Sequence, residues 1–104
     1  MSTSRLEVLR NLVAQNPGDS RTRYMLAMEL ANTGDLEGAA SEFKALAEAD
    51  PSYIPTYFHY GQTLARLGRI EEAREVYRRG IAACERAGDS HTREEIEEAL
   101  ASLD

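Results

Sequence analysis

The sequence predicts an all-α fold of about six helices paired as antiparallel hairpins, and three observations predict it. The chain repeats itself with a period of 34 residues: setting 20–53 against 54–87 pairs Thr22 with Thr56, Leu30 with Leu64, Ala31 with Ala65, Gly34 with Gly68, Glu37 with Glu71, Ala39 with Ala73 and Ala49 with Ala83. Apolar residues return at i, i+3, i+4 and i+7 along the long segments, the spacing of one helix face. No stretch of four or more residues alternates apolar and polar as a half-buried strand would.

The elements follow in order. Ser4 with Glu7 three residues later forms a capping box, and Leu6, Leu9, Leu12 and Val13 make an apolar stripe that Pro17 brings to an end, so the first helix is expected over 4–15. Leu26, Leu30 and Thr33 carry the second over 20–33. Gly34 can take the left-handed conformation that closes it, and Asp35 can cap the next. Leu36, Ala39, Ala40, Phe43, Leu46 and Ala47 then define a helix over 36–49. Pro51 stops it, because proline disfavours helical geometry at Asp50 and cannot extend the ladder. The second copy of this unit predicts helices over 53–67 and 70–86. The last, over 90–103, is marked by GDSHTREEIEEAL from Gly88, which shares Gly, Asp, Ser, Thr, Arg and Leu in order with GDSRTRYMLAMEL from Gly18. That spacing is 70 rather than twice 34, which implies a longer connection around Ala87 and Gly88. One domain over 1–104 is expected: an N-terminal helix (4–15), a first repeat (20–53), a second (54–87) and a closing helix (90–103).

Composition excludes several function classes. At 104 residues with 42% hydrophobic and 29% charged, the chain has the makings of one soluble globular domain. No run approaches a membrane span, and Arg5, Glu7 and Arg10 interrupt what a signal peptide would need as an apolar core, so a cytoplasmic location is expected. Cys84, the single cysteine, rules out an internal disulfide and fits a reducing compartment; it reads as a spectator thiol on a helix or as a pairing point between two chains. The net charge of −6 is unevenly spread, with residues 1–52 at −3, 53–86 at +2 and 87–104 at −5, and most of this surface would repel nucleic acid. His59 and His91 have no cysteine or carboxylate at metal-site spacing, and there is no glycine-rich phosphate loop, zinc signature or nucleophile elbow. Adjacent carboxylates such as Glu71 and Glu72 point apart on a helix. No metal, cofactor or catalytic step is therefore expected. Glu71, Arg74, Glu75, Arg78 and Arg79 read as a solvated face of i+3 and i+4 pairs.

A 34-residue helical hairpin carrying Leu26, Ala27, Leu30, Gly34, Ala39, Phe43 and Pro51, followed in phase by Tyr57, Tyr60, Gly61, Leu64, Gly68, Ala73 and Tyr77, resembles the tetratricopeptide repeat. The resemblance implies a right-handed α-solenoid. Its small positions would let backbones approach where antiparallel helices cross, Ala27 over Ala39 and Gly61 over Ala73, while Phe43 and Tyr77 fill the space between hairpins. Arg23 departs from the early aromatic and Glu85 from the closing proline, which would let the second repeat run on into a longer helix. Gly80 stands where alanine is usual, at a helix-interior cost of about 1 kcal/mol. The closing helix looks like a cap, with Ile96, Leu100 and Leu103 facing inward and Glu94, Glu95, Glu97 and Glu98 outward.

In such proteins the first helix of each hairpin lines a concave groove that accepts an extended peptide or a helix. Carried over by position, Arg21, Tyr24, Met25, Met28 and Asn32 would stand beside Phe58, His59, Gln62 and Arg66. Rings and thioethers would receive a hydrophobic anchor, and Arg21 and Arg66 could hold a carboxylate. The Lys/Asn/Asn/Lys/Arg clamp of members that dock chaperone C-termini is not implied, because the corresponding positions hold Tyr24, Met28 and His59. Three readings stay open: a non-catalytic module binding a peptide or helix of a partner protein, a structural unit that self-associates as a homodimer through the groove face or the N-terminal helix, or aromatics that merely seal adjacent helices. The partner would be protein rather than nucleic acid or membrane, and the chain a monomer or weak homodimer.

Overall fold

The computed structural model describes residues 4–103 and places six helices in order: α1 (Arg5–Gln15), α2 (Ser20–Asn32), α3 (Leu36–Ala49), α4 (Pro55–Arg66), α5 (Ile70–Ala87) and α6 (Ser90–Ala101). No strand occurs among the described residues. The starts of α1, α2, α3 and α6 are made by short polar side chains that satisfy backbone donors left open by the first turn, whereas α4 and α5 begin without one. The Ser4 hydroxyl accepts from the Glu7 N–H at 3.1 Å, Asp19 from Arg21 and Thr22, Asp35 from Gly38 at 2.8 Å, and Asp89 from Thr92 at 3.1 Å. The hairpin turns close through left-handed glycines, Gly34 at φ 94° and Gly68 at φ 78°, a conformation that a β carbon would strain.

Four helices are shorter than sequence spacing predicts. The expected 53–67 becomes Pro55–Arg66, because Tyr53 and Ile54 belong to the turn after Pro51, and Pro55 takes the first helical position, where its missing N–H is not needed. The expected 90–103 ends at Ala101, where the Ser102 hydroxyl turns back to the Glu98 carbonyl at 2.9 Å. α2 stops one residue early at Asn32, and at the start Ser4 caps α1 rather than belonging to it. With glutamate at position 85 in place of proline, α5 runs 18 residues against 14 for α3, until Gly88 closes it.

Among the described residues each helix packs on the next in sequence, and beyond that α2 approaches α4 and α4 approaches α6, while the backbones of α1, α3 and α5 stay apart from one another. A stack whose first helices are close while the others splay must curve, so the α2–α4–α6 row forms the inner, concave face. The molecule extends 45 × 28 × 20 Å, with a radius of gyration of 13.8 Å against about 13 Å for an average domain of this length.

The core runs through the hairpins as one cluster from Leu9 to Ile96. Phe43, wholly buried, stacks on Tyr60 of the next hairpin with centroids 6.1 Å apart. Ala27, Ala39 and Ala73 are each 0% exposed, as small residues at crossings should be. At Gly61 a β carbon would overlap the Tyr77 ring, so the missing side chain makes room for an aromatic. Gly80, read from sequence only as a weak helix residue, is required by packing. A β carbon there would lie 2.5 Å from the Tyr57 β carbon and 3.0 Å from Cδ1 of Ile96. Cys84 is buried at 1% exposure, which removes it as a pairing point between folded chains. On α5, Arg79 lies 3.8 Å from Glu75 with both side chains exposed, the pairing expected of that face, whereas Arg74, 3.3 Å from Glu71, is half-buried and donates to the Leu103 carbonyl at 2.9 Å.

Candidate functional site

Curvature leaves a trough along α2, α4 and α6, and in it lies a pocket of about 410 Å³ lined by Tyr24, Ile54, Pro55, Phe58, His59, Asp89, Thr92 and Glu95. Tyr24 stands one turn into α2, half-buried, with its ring 6.2 Å from Phe43, 5.9 Å from Tyr53 and 5.7 Å from His59. The cluster fixes Tyr24 while leaving one side of it to the trough. Because α4 begins at Pro55, its first turns present Phe58 and His59 as neighbours, their rings edge to face at 5.2 Å. The floor is thus apolar and rigid, built from side chains with few rotatable bonds.

The electrostatics follow from burial. Desolvation holds the His59 imidazole below its ordinary value, with Gln62 and the Glu95 carboxylate pulling the other way, so the ring is neutral at pH 7. Burial, with the nearby Tyr53, raises the Tyr24 phenol, which stays protonated. Hydrogen bonds from Thr92 hold Asp89 below the usual carboxylate range, since this side chain caps α6. No group of three or more His, Cys, Asp or Glu among the described residues could hold a metal ion, and no helix there is long and apolar enough to cross a membrane.

Of the nine residues carried over from sequence, the pocket brings together Tyr24, Phe58 and His59. Met25 and Met28 are half-buried and pack against the core. Arg21, Asn32, Gln62 and Arg66 are exposed and stand outside the pocket lining. Arg66 is eleven positions beyond Pro55, about 16 Å along α4, so it lies at the opposite end of the trough. Five lining residues escaped the sequence reading: Ile54, Pro55, Asp89, Thr92 and Glu95. Three of them belong to α6 or its cap, because the closing helix is also a third wall. The signal was present in the match between Gly18 and Gly88, which sets Met25, His59 and Glu95 at equivalent positions of three successive first helices.

The model of the tetratricopeptide repeat family matches residues 30–83. A TPR repeat-containing protein of Pseudomonas aeruginosa is 26% identical over 99 residues, covering 95% of this chain and 94% of its own. Among solved structures, the tetratricopeptide repeat domain of a Salinibacter ruber protein superposes with a TM-score of 0.77 at 33% identity, covering 82% of this chain and 94% of that one. YrrB, described as a TPR protein with an unusual peptide-binding site, superposes at 0.76 with 29% identity, covering 89% of this chain and 46% of its own.

Proposed function

Since the chain belongs to the tetratricopeptide repeat family, we propose that it is a non-catalytic cytoplasmic interaction module whose concave face binds a peptide or helix of a partner protein. The observation that carries this is the pocket of about 410 Å³ floored by Tyr24, Ile54, Pro55 and Phe58, a size that suits one or two apolar side chains. Its walls are prearranged by ring contacts, so an incoming anchor orders little of the protein and more of the contact energy appears as affinity. YrrB, a relative described as having a peptide-binding site, supports the class of ligand. Gln62 and Arg66 continue the trough along α4 and would contact the peptide beyond the anchor, while Arg21, Met25, Met28 and Asn32 would edge it from α2.

The test is selection of binders from a displayed library of random peptides, followed by amide-shift mapping with the selected sequence. Shifts should concentrate at Tyr24, Phe58, His59 and Gln62, and Phe58→Ala should weaken binding about tenfold or more, the scale of a central anchor contact. Shifts confined to α1, α3 and α5 would refute the reading.

A self-associating unit is the second reading, favoured by Val8 and Leu12, which lie one turn apart on α1 and are 44% and 45% exposed. Light scattering at high concentration separates the two, because a persistent monomer removes the second.

A further inference from the structure

The trough has an electrical polarity that its aromatic floor conceals. The pocket against Tyr24 and Phe58 opens at Phe58 and Glu95 into a shallower depression of about 270 Å³ lined also by Glu98, Ala99 and Ser102. The two together are bordered by Asp89, Glu95 and Glu98, and neither Lys nor Arg lines them. After position 86 the only Lys or Arg is Arg93, which lies on the other edge of α6, beside Cys84 and Gly88 and 3.7 Å from Glu97, while His91 approaches Glu95 at 3.6 Å. Asp89 is occupied by its capping bonds, so the carboxylates presented to a ligand are Glu95 and Glu98. Arg66 lies eight residues beyond Phe58, about 12 Å along α4, and lines neither depression.

We propose that the trough selects partner segments in which an apolar or aromatic anchor is flanked by lysine or arginine, the anchor seated against Phe58 and the cation meeting Glu95 and Glu98. This rests on the peptide-binding reading above and fixes the chemistry of the occupant by charge complementarity. A basic side chain beside the anchor would meet two carboxylates and pass close to the Phe58 ring, whose face attracts cations. An acidic segment would bring like charges against the same two exposed carboxylates, which disfavours it.

The experiment uses the full chain and two synthetic peptides that share a central Phe-Leu pair and differ only in carrying four flanking lysines or four flanking glutamates. Fluorescence anisotropy at low salt should show the lysine peptide bound about tenfold more tightly, the product of a few exposed pairs each contributing a small factor. The ratio should shrink in 1 M salt, where the screening length falls to about 3 Å. The double variant Glu95→Gln, Glu98→Gln should bring the ratio to about twofold. Equal affinities, or a preference for the glutamate peptide, with shifts still centred on Tyr24 and Phe58, would overturn the charge assignment and leave the groove standing. A lysine preference that the double variant leaves untouched would overturn it too, tracing the preference to the overall charge of −6. If neither peptide moves the trough resonances, both the charge assignment and the groove reading fall.

Discussion

At the scale of single residues, His59 and Gly80 show how much a position owes to its neighbours. His59 sits between the Tyr24 and Phe58 rings with Glu95 facing it from α6. Burial lowers its pKa beneath the ordinary 6.5, so around that pH the folded chain binds fewer protons than the unfolded one. Stability is then full above about 6.5 and is lost as pH falls through the folded value. Asp19, Asp50 and Asp89, held below the ordinary 3.8 by their hydrogen bonds, add a separate loss only as pH falls below that value. Melting temperatures of the native chain should therefore drop more between pH 7 and 5 than those of His59→Gln, and parallel curves would contradict the assignment. Gly80 makes the opposite case for reading residues in isolation. Helix propensity alone predicts that Gly80→Ala gains about 1 kcal/mol. With Tyr57 Cβ 2.5 Å from the new carbon, overpacking on the order of 1 to 3 kcal/mol opposes that gain, and the expected net result is a lower melting temperature. The glycine was visible in the sequence, but its reason lay on two other helices.

At the scale of helices, capping and stopping are local events, which is why starts at Ser20, Leu36, Ile70 and Ser90 follow from the chain itself. The ends of α4 and α6 were set by a turn and by a serine folding back, where one hydrogen bond decides between another helical residue and none. What the apolar stripes add is the separation between helices. Ala39 and Ala73, both fully buried, hold α3 and α5 against their neighbours, and Ala39→Leu or Ala73→Leu should each lower stability by about 1 to 3 kcal/mol. Chemical denaturation with an unchanged midpoint in both variants would show that the crossings are not size-limited.

At the scale of the whole molecule, stability is a sum of nearest-neighbour interfaces, because each helix packs chiefly on those next to it in the chain. α1 has a single neighbour, α2. α1 buries only Leu9 and α6 only Ile96, whereas α4 and α5 bury six residues each. Amide hydrogen exchange should accordingly be fastest in α1, intermediate in α6 and slowest through α4 and α5. Uniform protection across all six helices would instead indicate a single opening unit. The gradient bears on binding, since α6 supplies the acidic wall of the trough. Ile96, at 0% exposure, ties that wall to the core.

By itself the sequence determined the repeat, the helices, the caps at Ser4 and Asp35 and the small positions at which helices cross, because these depend on spacing and on hydrogen bonds within a few residues of one another. It also placed Tyr24, Phe58 and His59 on first helices, where an equivalent position in one repeat points to the same face in the next. Only the tertiary structure decided that α6 is a wall of the trough as well as a cap, that Gly61 and Gly80 yield to the Tyr77 and Tyr57 rings, and that the pocket mouth is acidic. The physical reason is that these depend on curvature: the approach of α2, α4 and α6 sums small rotations at every hairpin, and no single stretch of residues encodes that sum.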